Sequence, residues 1–252
     1  MSITLKILTY NVHKGYDASG RRFVLDAIRK HIAQTGAHIV FLQEIHGATK
    51  KNQKHAEHFK SPSEQHYEYL ADSMWPHYAY GRNAIYRHGD HGNAILSQLP
   101  FVEYENIDVA IFPRSSRSIL HGVIAVPDQA LPLHVLCVHL GLLETERQHQ
   151  LQTLAARINS HVPANEPLII AGDFNDWRGR CDARLRTDVG LEELFVTLNG
   201  RHARTFPVWA PVLAVDRIYY RGLTPISGTR LNQGSWRGLS DHAALLGELK
   251  LG

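Results

Sequence analysis

The chain has 252 residues, 44% of them hydrophobic and 20% charged, with a formal net charge of +3. That length and apolar content can bury a sizeable core and exclude a disordered or low-complexity chain, while the mild basicity permits a polyanionic partner without requiring one. Two cysteines exclude a disulfide framework, and no apolar run reaches the roughly 20 residues of a membrane-spanning helix.

Taken in order, residues 3–10 read as a strand. Over 22–35, Leu25, Ile28 and Ile32 recur at helical spacing, and Gly36 stands where a helix C-terminal glycine belongs. The run Ile39-Val40-Phe41-Leu42 predicts a strand buried on both faces. Residues 47–66 carry Lys50, Lys51, Lys54, His55, His58 and Lys60 among few apolar residues and read as a solvated loop. No cysteine or carboxylate completes a metal set around His55 and His58, so they read as solvated too. Further strands are predicted at 92–97, 117–126, 133–139, 168–172, 215–220 and 242–250. The strongest helix is 146–162, where Leu151, Leu154, Ala155, Ile158 and Val162 form one stripe and Thr145 with Gln148 suggests a capping box.

This alternation predicts an α/β or α+β layered domain, a single one over 1–252. Cys137, in an apolar run, and Cys181, in a polar stretch, read as free thiols. With no basic leader ahead of an apolar segment, the expectation is a soluble cytoplasmic protein, and a monomer.

The chemistry sits where polar residues meet these strands. Four apolar runs end in groups that bind metal or phosphate: Thr9-Tyr10-Asn11, Leu42-Gln43-Glu44, Val138-His139 and Ala171-Gly172-Asp173-Phe174-Asn175. Two more begin with them, at Asp216-Arg217-Ile218 and Ser240-Asp241-His242. The end of one antiparallel strand and the start of its neighbour share a rim, so all six clusters can converge on one mouth. Singly, each has a plainer reading. Asn11 is a turn asparagine, Glu44 a solvated strand end, His139 and His242 hydrogen-bonded core histidines, and Asp173 with Asn175 an Asx-turn beside Gly172. Six such accidents in this order are far less expected than one site.

The ordered set Tyr10-Asn11-Val12, Leu42-Gln43-Glu44, Val138-His139-Leu140, Gly172-Asp173-Phe174-Asn175, Asp216-Arg217-Ile218 and Ser240-Asp241-His242 resembles that of the endonuclease/exonuclease/phosphatase superfamily. That superfamily includes pancreatic deoxyribonuclease, abasic-site endonucleases, sphingomyelinases and inositol polyphosphate phosphatases. Gly92-Asn93-Ala94-Ile95-Leu96-Ser97 with Pro100, Arg147 with Gln148 and Leu151, and Thr205-Phe206-Pro207 are similar to its small bacterial members. The resemblance implies a four-layer sandwich, two packed mixed β-sheets flanked by helices, with the site at one end of the sheets. It also implies a divalent cofactor, Mg²⁺ or Mn²⁺.

Phosphate-ester hydrolysis needs a positioned water, neutralised phosphoryl charge and help for the leaving oxygen. Glu44 is the expected primary metal ligand, with Asn11 orienting the metal site and Asp241 contributing to its surroundings. His139, Asp173, Asn175, Asp216 and His242 are the expected catalytic groups. Asp173 and Asn175 polarise or hold the water, His139 contacts the phosphate, and Asp216 orients His242 and favours its imidazolium. Which histidine donates a proton stays open, as does one metal against two.

His13 stands where several superfamily nucleases carry a carboxylate. Either the metal site has one acidic ligand fewer, or His13 contacts phosphate, or it is a surface histidine before the Lys14-Gly15 loop. Arg114 and Arg117 lie near the start of a strand, and Arg117 and Arg147 are candidate substrate contacts; Arg147 can equally pair with Glu144. The leading expectation is a nuclease acting on DNA, with Lys50, Lys51, Lys54 and Lys60 as candidate backbone contacts. The alternative is a phosphomonoesterase or a phospholipid phosphodiesterase, and Trp209 and Trp236 suit either a lipid or a base pocket. A catalytically dead binding module is disfavoured by the completeness of the motif set.

Overall fold

The computed structural model describes residues 2–49, 65–72, 74–86, 89–112 and 117–252. The first sheet runs in the order β11 (Thr224–Leu231), β12 (Ala244–Leu251), β1 (Ile3–Asn11), β2 (Ile39–Thr49), β4 (Gly89–Ser97) and β3 (His77–Tyr86). The second runs β5 (Phe101–Asp108), β6 (Ser118–Ile124), β7 (Leu133–His139), β8 (Leu168–Asp173), β10 (Asp216–Arg221) and β9 (Glu192–Glu193). Each sheet holds a parallel pair, β1 with β2 and β7 with β8. These are joined by crossover helices, α1 (Leu25–Thr35) in the first sheet and α3 (Glu144–His161) in the second.

Side-chain alternation along the central strands builds the layers. From β1, Leu5 and Ile7 point between the sheets, where they join Phe41 and Ile95 against Leu120, Val135, Ile169 and Ile218. Their neighbours Leu8 and Tyr10 point outward under Ile28 and Ile32 of α1 and residues of α2 (His66–Ala71). On the far side, Leu151, Leu154 and Ile158 of α3 cover Leu136, Val138 and Ile170, together with Leu185 of α4 (Cys181–Val189). Each fully buried aliphatic side chain contributes about 1.5–3 kcal/mol. A fifth helix, α5 (Leu194–Asn199), packs at the edge against β10 and β11. The result is the expected four-layer α/β sandwich.

Several local expectations change. The capping box at Thr145 and Gln148 does not form: α3 starts after Leu143, and Gln148 donates to Glu144 at 2.8 Å. Residues 47–66 are not one loop, because β2 continues through Thr49 and His66 opens α2. Lys50, Lys51, Lys54, His55, His58, Lys60 and Arg114 lie outside the described residues. Both Cys137 and Cys181 are buried free thiols. Among the described residues no helix is long and apolar enough to cross a membrane.

Candidate active site

Strand register assembles the site. Asp173 ends β8, and its register partners are His139 on β7 and Asp216 on β10, so one row of the second sheet carries three of the expected groups. In the first sheet, Asn11 ends β1 opposite Gln43 of β2. The two sheets meet where Asn11 Nδ2 donates to Asp173 Oδ2 at 3.2 Å. The His13 N–H donates to Asn11 Oδ1 at 3.1 Å, which fixes the direction of the amide. A second link crosses the sheets beside it: His242, just before β12, donates from Nδ1 to Asp216 Oδ2 at 2.8 Å.

Local backbone chemistry turns the remaining groups toward this junction. Glu44 sits in a bulge between Leu42 and Ile45 with a φ of 56°, a left-handed conformation that glutamate adopts only when its surroundings enforce it. The bulge breaks the alternation of β2, so Glu44 reaches the mouth. Asn175 is also left-handed, at φ 49°, which asparagine tolerates better. Its N–H donates to Asp173 Oδ1 at 2.9 Å, and its side-chain amide to Leu140 O at 2.9 Å. Gly172 is required where it stands: its φ is 150°, and a Cβ there would lie 2.0 Å from Val138 O.

Burial and charge set the protonation states. Burial alone would discharge His242, but Asp216, followed by Asp173 and Asp241, holds its pKa up at about 10, so it is a cation at neutral pH. Asp173 is pushed up to about 7, by burial first; His242 opposes this and Asp216 adds to it. His139 is driven well below the ordinary histidine range by burial, then by Arg117 and His242, and is neutral. Its Nε2 stands 3.5 Å from Asp173 Oδ2. The Phe206 ring packs on the His242 ring at 4.9 Å and helps exclude water.

These groups border a cavity of about 230 Å³. Asn11, Glu44, Arg117, His139, Asp173, Asn175 and His242 form its polar side, and Leu142, Trp177, Phe206, Leu213 and Val215 its apolar side. Asp216 stands behind His242 rather than on the wall. His13 and Asp241 pair outside the cavity lining, Nδ1 to Oδ1 at 3.8 Å. Arg147, a candidate for substrate contact or for pairing with Glu144, takes the second role: it is 1% exposed and has its guanidinium engaged by Gly141 O at 3.0 Å, Leu142 O at 2.6 Å and Glu144 Oε2 at 2.7 Å. It also lies 4.9 Å from the centre of the Trp177 ring and props that ring at the cavity edge. Trp177 carried no expectation from sequence, although a tryptophan directly after Asp173-Phe174-Asn175-Asp176 in a polar loop is a signal of an exposed platform.

Oxygen donors dominate the polar side, which suits a hard divalent cation. Asp173, Asp216 and His242 present ligand atoms within 4.8 Å of one another. A protonated His242 has no lone pair to offer, and its Nδ1 is committed to Asp216, so this trio is a poor cage. Glu44 faces the cavity with Lys14, at 3.7 Å, against its carboxylate, and Asn11 stands on the same wall. One carboxylate with an amide, water and substrate oxygens is the donor set of an open Mg²⁺-type site. Behind His242, Asp216 Oδ1 is buried with no hydrogen-bond partner among the described residues.

The sequence model of the Endonuclease/Exonuclease/phosphatase family matches residues 8–242. The "Uncharacterized protein YbhP" of Escherichia coli (strain K12) is 46% identical over 248 residues, spanning 98% of this chain and 97% of the relative. An endonuclease/exonuclease/phosphatase structure from Beutenbergia cavernae DSM 12333 superimposes with a TM-score of 0.80 at 18% identity, over 99% of this chain and 72% of that one. D. rerio TDP2 complexed with single strand DNA product superimposes at 0.68 with 19% identity, over 98% of both chains. The human Nocturnin catalytic domain with bound sulfate anion does so at 0.72 with 16% identity, over 99% of this chain and 96% of that one.

Proposed function

The chain belongs to the Endonuclease/Exonuclease/phosphatase family, and on that footing we propose that it is a divalent-metal-dependent phosphodiesterase acting on nucleic acid. The observation that carries this reading is the junction itself. Asn11 bonds Asp173 across the sheets, and Asp216 bonds His242 beside it, around a cavity that Glu44 also lines.

Glu44 and Asn11 hold the cation, Mg²⁺ or Mn²⁺, with Asp241 in the wider surroundings. When bound, it neutralises developing charge on the phosphoryl oxygens. Asp173, with a pKa near neutrality, accepts a proton from the attacking water, which Asn175 helps to position. His242, kept cationic by Asp216, grips a non-bridging oxygen, and neutral His139 donates a hydrogen bond to the same phosphoryl group. Arg117, on the cavity wall, pairs with phosphate. The structure of TDP2 with a single strand DNA product supports nucleic acid, DNA first, as the substrate class.

One observation favours a second reading. Leu142 is 60% exposed and Trp177 44% exposed at the cavity edge, an apolar flank that also suits a phospholipid phosphodiesterase. The test is turnover with Mg²⁺ or Mn²⁺ of plasmid, single-stranded DNA, RNA, an abasic duplex, a phosphomonoester and a lysophospholipid. Nucleic-acid cleavage without lipid turnover is the expected result, and lipid turnover alone would replace the first reading by the second.

A further inference from the structure

A second polar cleft adjoins the catalytic cavity through one hairpin. Residues 205–213 fold back on themselves, with Thr205 N–H donating to Leu213 O at 2.8 Å and Leu213 N–H to Phe206 O at 2.9 Å. Phe206 and Leu213 line the catalytic cavity, whereas Pro211 of the hairpin and Arg204, directly before it, line a larger cleft of about 660 Å³. Arg204 and Phe206 are two residues apart, so their backbones are separated by at most about 7 Å. One end of the cleft reaches the active rim. Leu231, next to its wall residue Arg230, is in register with Ala244, two residues beyond His242.

The walls carry Arg201, Arg204 and Arg230 with the amides of Asn199, Asn232 and Gln233, and among the described residues no aspartate or glutamate lines them. Among the described residues these arginines have no acidic partner, whereas His202 on the same wall is paired with Asp182 and Glu193. Arg230 is braced across the cleft, Nε donating to Asn232 Oδ1 at 3.1 Å and one terminal nitrogen to Arg204 O at 2.9 Å. Three guanidinium groups without acidic partners, framed by amides, match phosphate oxygens and the polar edges of bases. Trp209, near the hairpin tip, is 66% exposed and offers a face for a base.

We propose that this cleft is a second phosphate-binding subsite, which holds non-scissile phosphates of a nucleic acid strand whose scissile phosphodiester occupies the catalytic cavity. A lipid with one phosphodiester has no second phosphate to place there. The inference rests on the phosphodiesterase reading above.

The test is binding of a labelled single-stranded oligonucleotide in EDTA, followed by fluorescence anisotropy over a salt series, so that it needs no turnover. The variant is Arg201→Gln with Arg204→Gln, whose side chains make no hydrogen bond within the chain among the described residues. Arg186→Gln with Lys250→Gln, both exposed, removes the same two charges elsewhere and controls for lost surface charge. The variant should bind at least about tenfold more weakly than the control, and its salt slope should fall by about 0.7 per lost phosphate contact. A loss no greater than that of the Arg186→Gln/Lys250→Gln control, or an unchanged slope, overturns the proposal. So does a variant that loses binding to anionic vesicles but keeps the oligonucleotide. A wild-type chain that cleaves phosphodiesters but binds no oligonucleotide overturns this inference alone. One that binds through these arginines yet hydrolyses no phosphoester leaves the subsite standing and removes the proposed function.

Discussion

Asp216 and His242 form a buried pair, Oδ2 to Nδ1 at 2.8 Å, that ties the start of β10 in one sheet to the segment leading into β12 in the other. If the pair acts as a unit, Asp216→Asn keeps the shape and removes the charge that sustains the imidazolium. Turnover should fall on the order of a hundredfold with little change in KM. The double variant Asp216→Asn/His242→Ala should be scarcely worse than His242→Ala, because groups that act together are strongly non-additive. Multiplicative losses would show two independent roles.

Gly172→Ala should destabilise the fold by at least about 2 kcal/mol, since a Cβ has no room beside Val138 O and the backbone conformation disfavours any side chain. Denaturant unfolding reads the loss directly. Activity should fall with it, because Asp173 is the next residue on β8. Wild-type stability in this variant would mean that the strand pair is more compliant than its geometry indicates.

His202 gives the fold a pH signature away from the cavity. Burial opposes its charge, but hydrogen bonds to Asp182 and Glu193 raise its pKa to about 9. A folded-state pKa above the unfolded value means that the stabilisation is complete below the ordinary histidine pKa of about 6.5 and is lost as pH rises through the folded value. The gap in melting temperature between wild type and His202→Gln should therefore be wide at about pH 6 and narrow at about pH 10. A gap that does not change with pH would show that His202 contributes packing alone.

Arg147→Lys should lower stability by about 1–3 kcal/mol, because one ammonium cannot serve two carbonyls, Glu144 and the Trp177 ring together. If Arg147 supports Trp177, KM should rise in parallel for Arg147→Lys and Trp177→Ala, and the double variant should add little. Additive effects of the two substitutions would separate them.

The layered fold and the polar rim were legible because central strands are short apolar runs and the six motif clusters sit at their ends. Register then does the rest: His139, Asp173 and Asp216 become row neighbours as a consequence of β7–β8–β10 pairing. What sequence missed is local or exposed. β5 is largely exposed and carries Glu103, Glu105 and Asp108, α4 is short and arginine-rich, and β11 alternates only weakly, so none shows a clear hydrophobic period. The expected pairing of Asp216 with His242 forms between different sheets, and the register of neither sheet could show it. The bulge that turns Glu44 inward and the hairpin shared by two cavities depend on backbone conformation, and so does the placement of Arg147 beneath Trp177.

In the proposed mechanism Glu44 holds the divalent cation on which phosphodiester hydrolysis depends. The most direct measurement is the initial rate of phosphodiester cleavage by wild type and Glu44→Gln across a Mg²⁺ or Mn²⁺ titration, beginning in EDTA and with folding checked by circular dichroism. The predicted result is no wild-type turnover in EDTA, recovery on adding metal, and a folded Glu44→Gln chain that is slower on the order of a hundredfold or more and needs more metal to saturate. Turnover that persists in EDTA, or a Glu44→Gln chain with the wild-type rate and metal dependence, would contradict it.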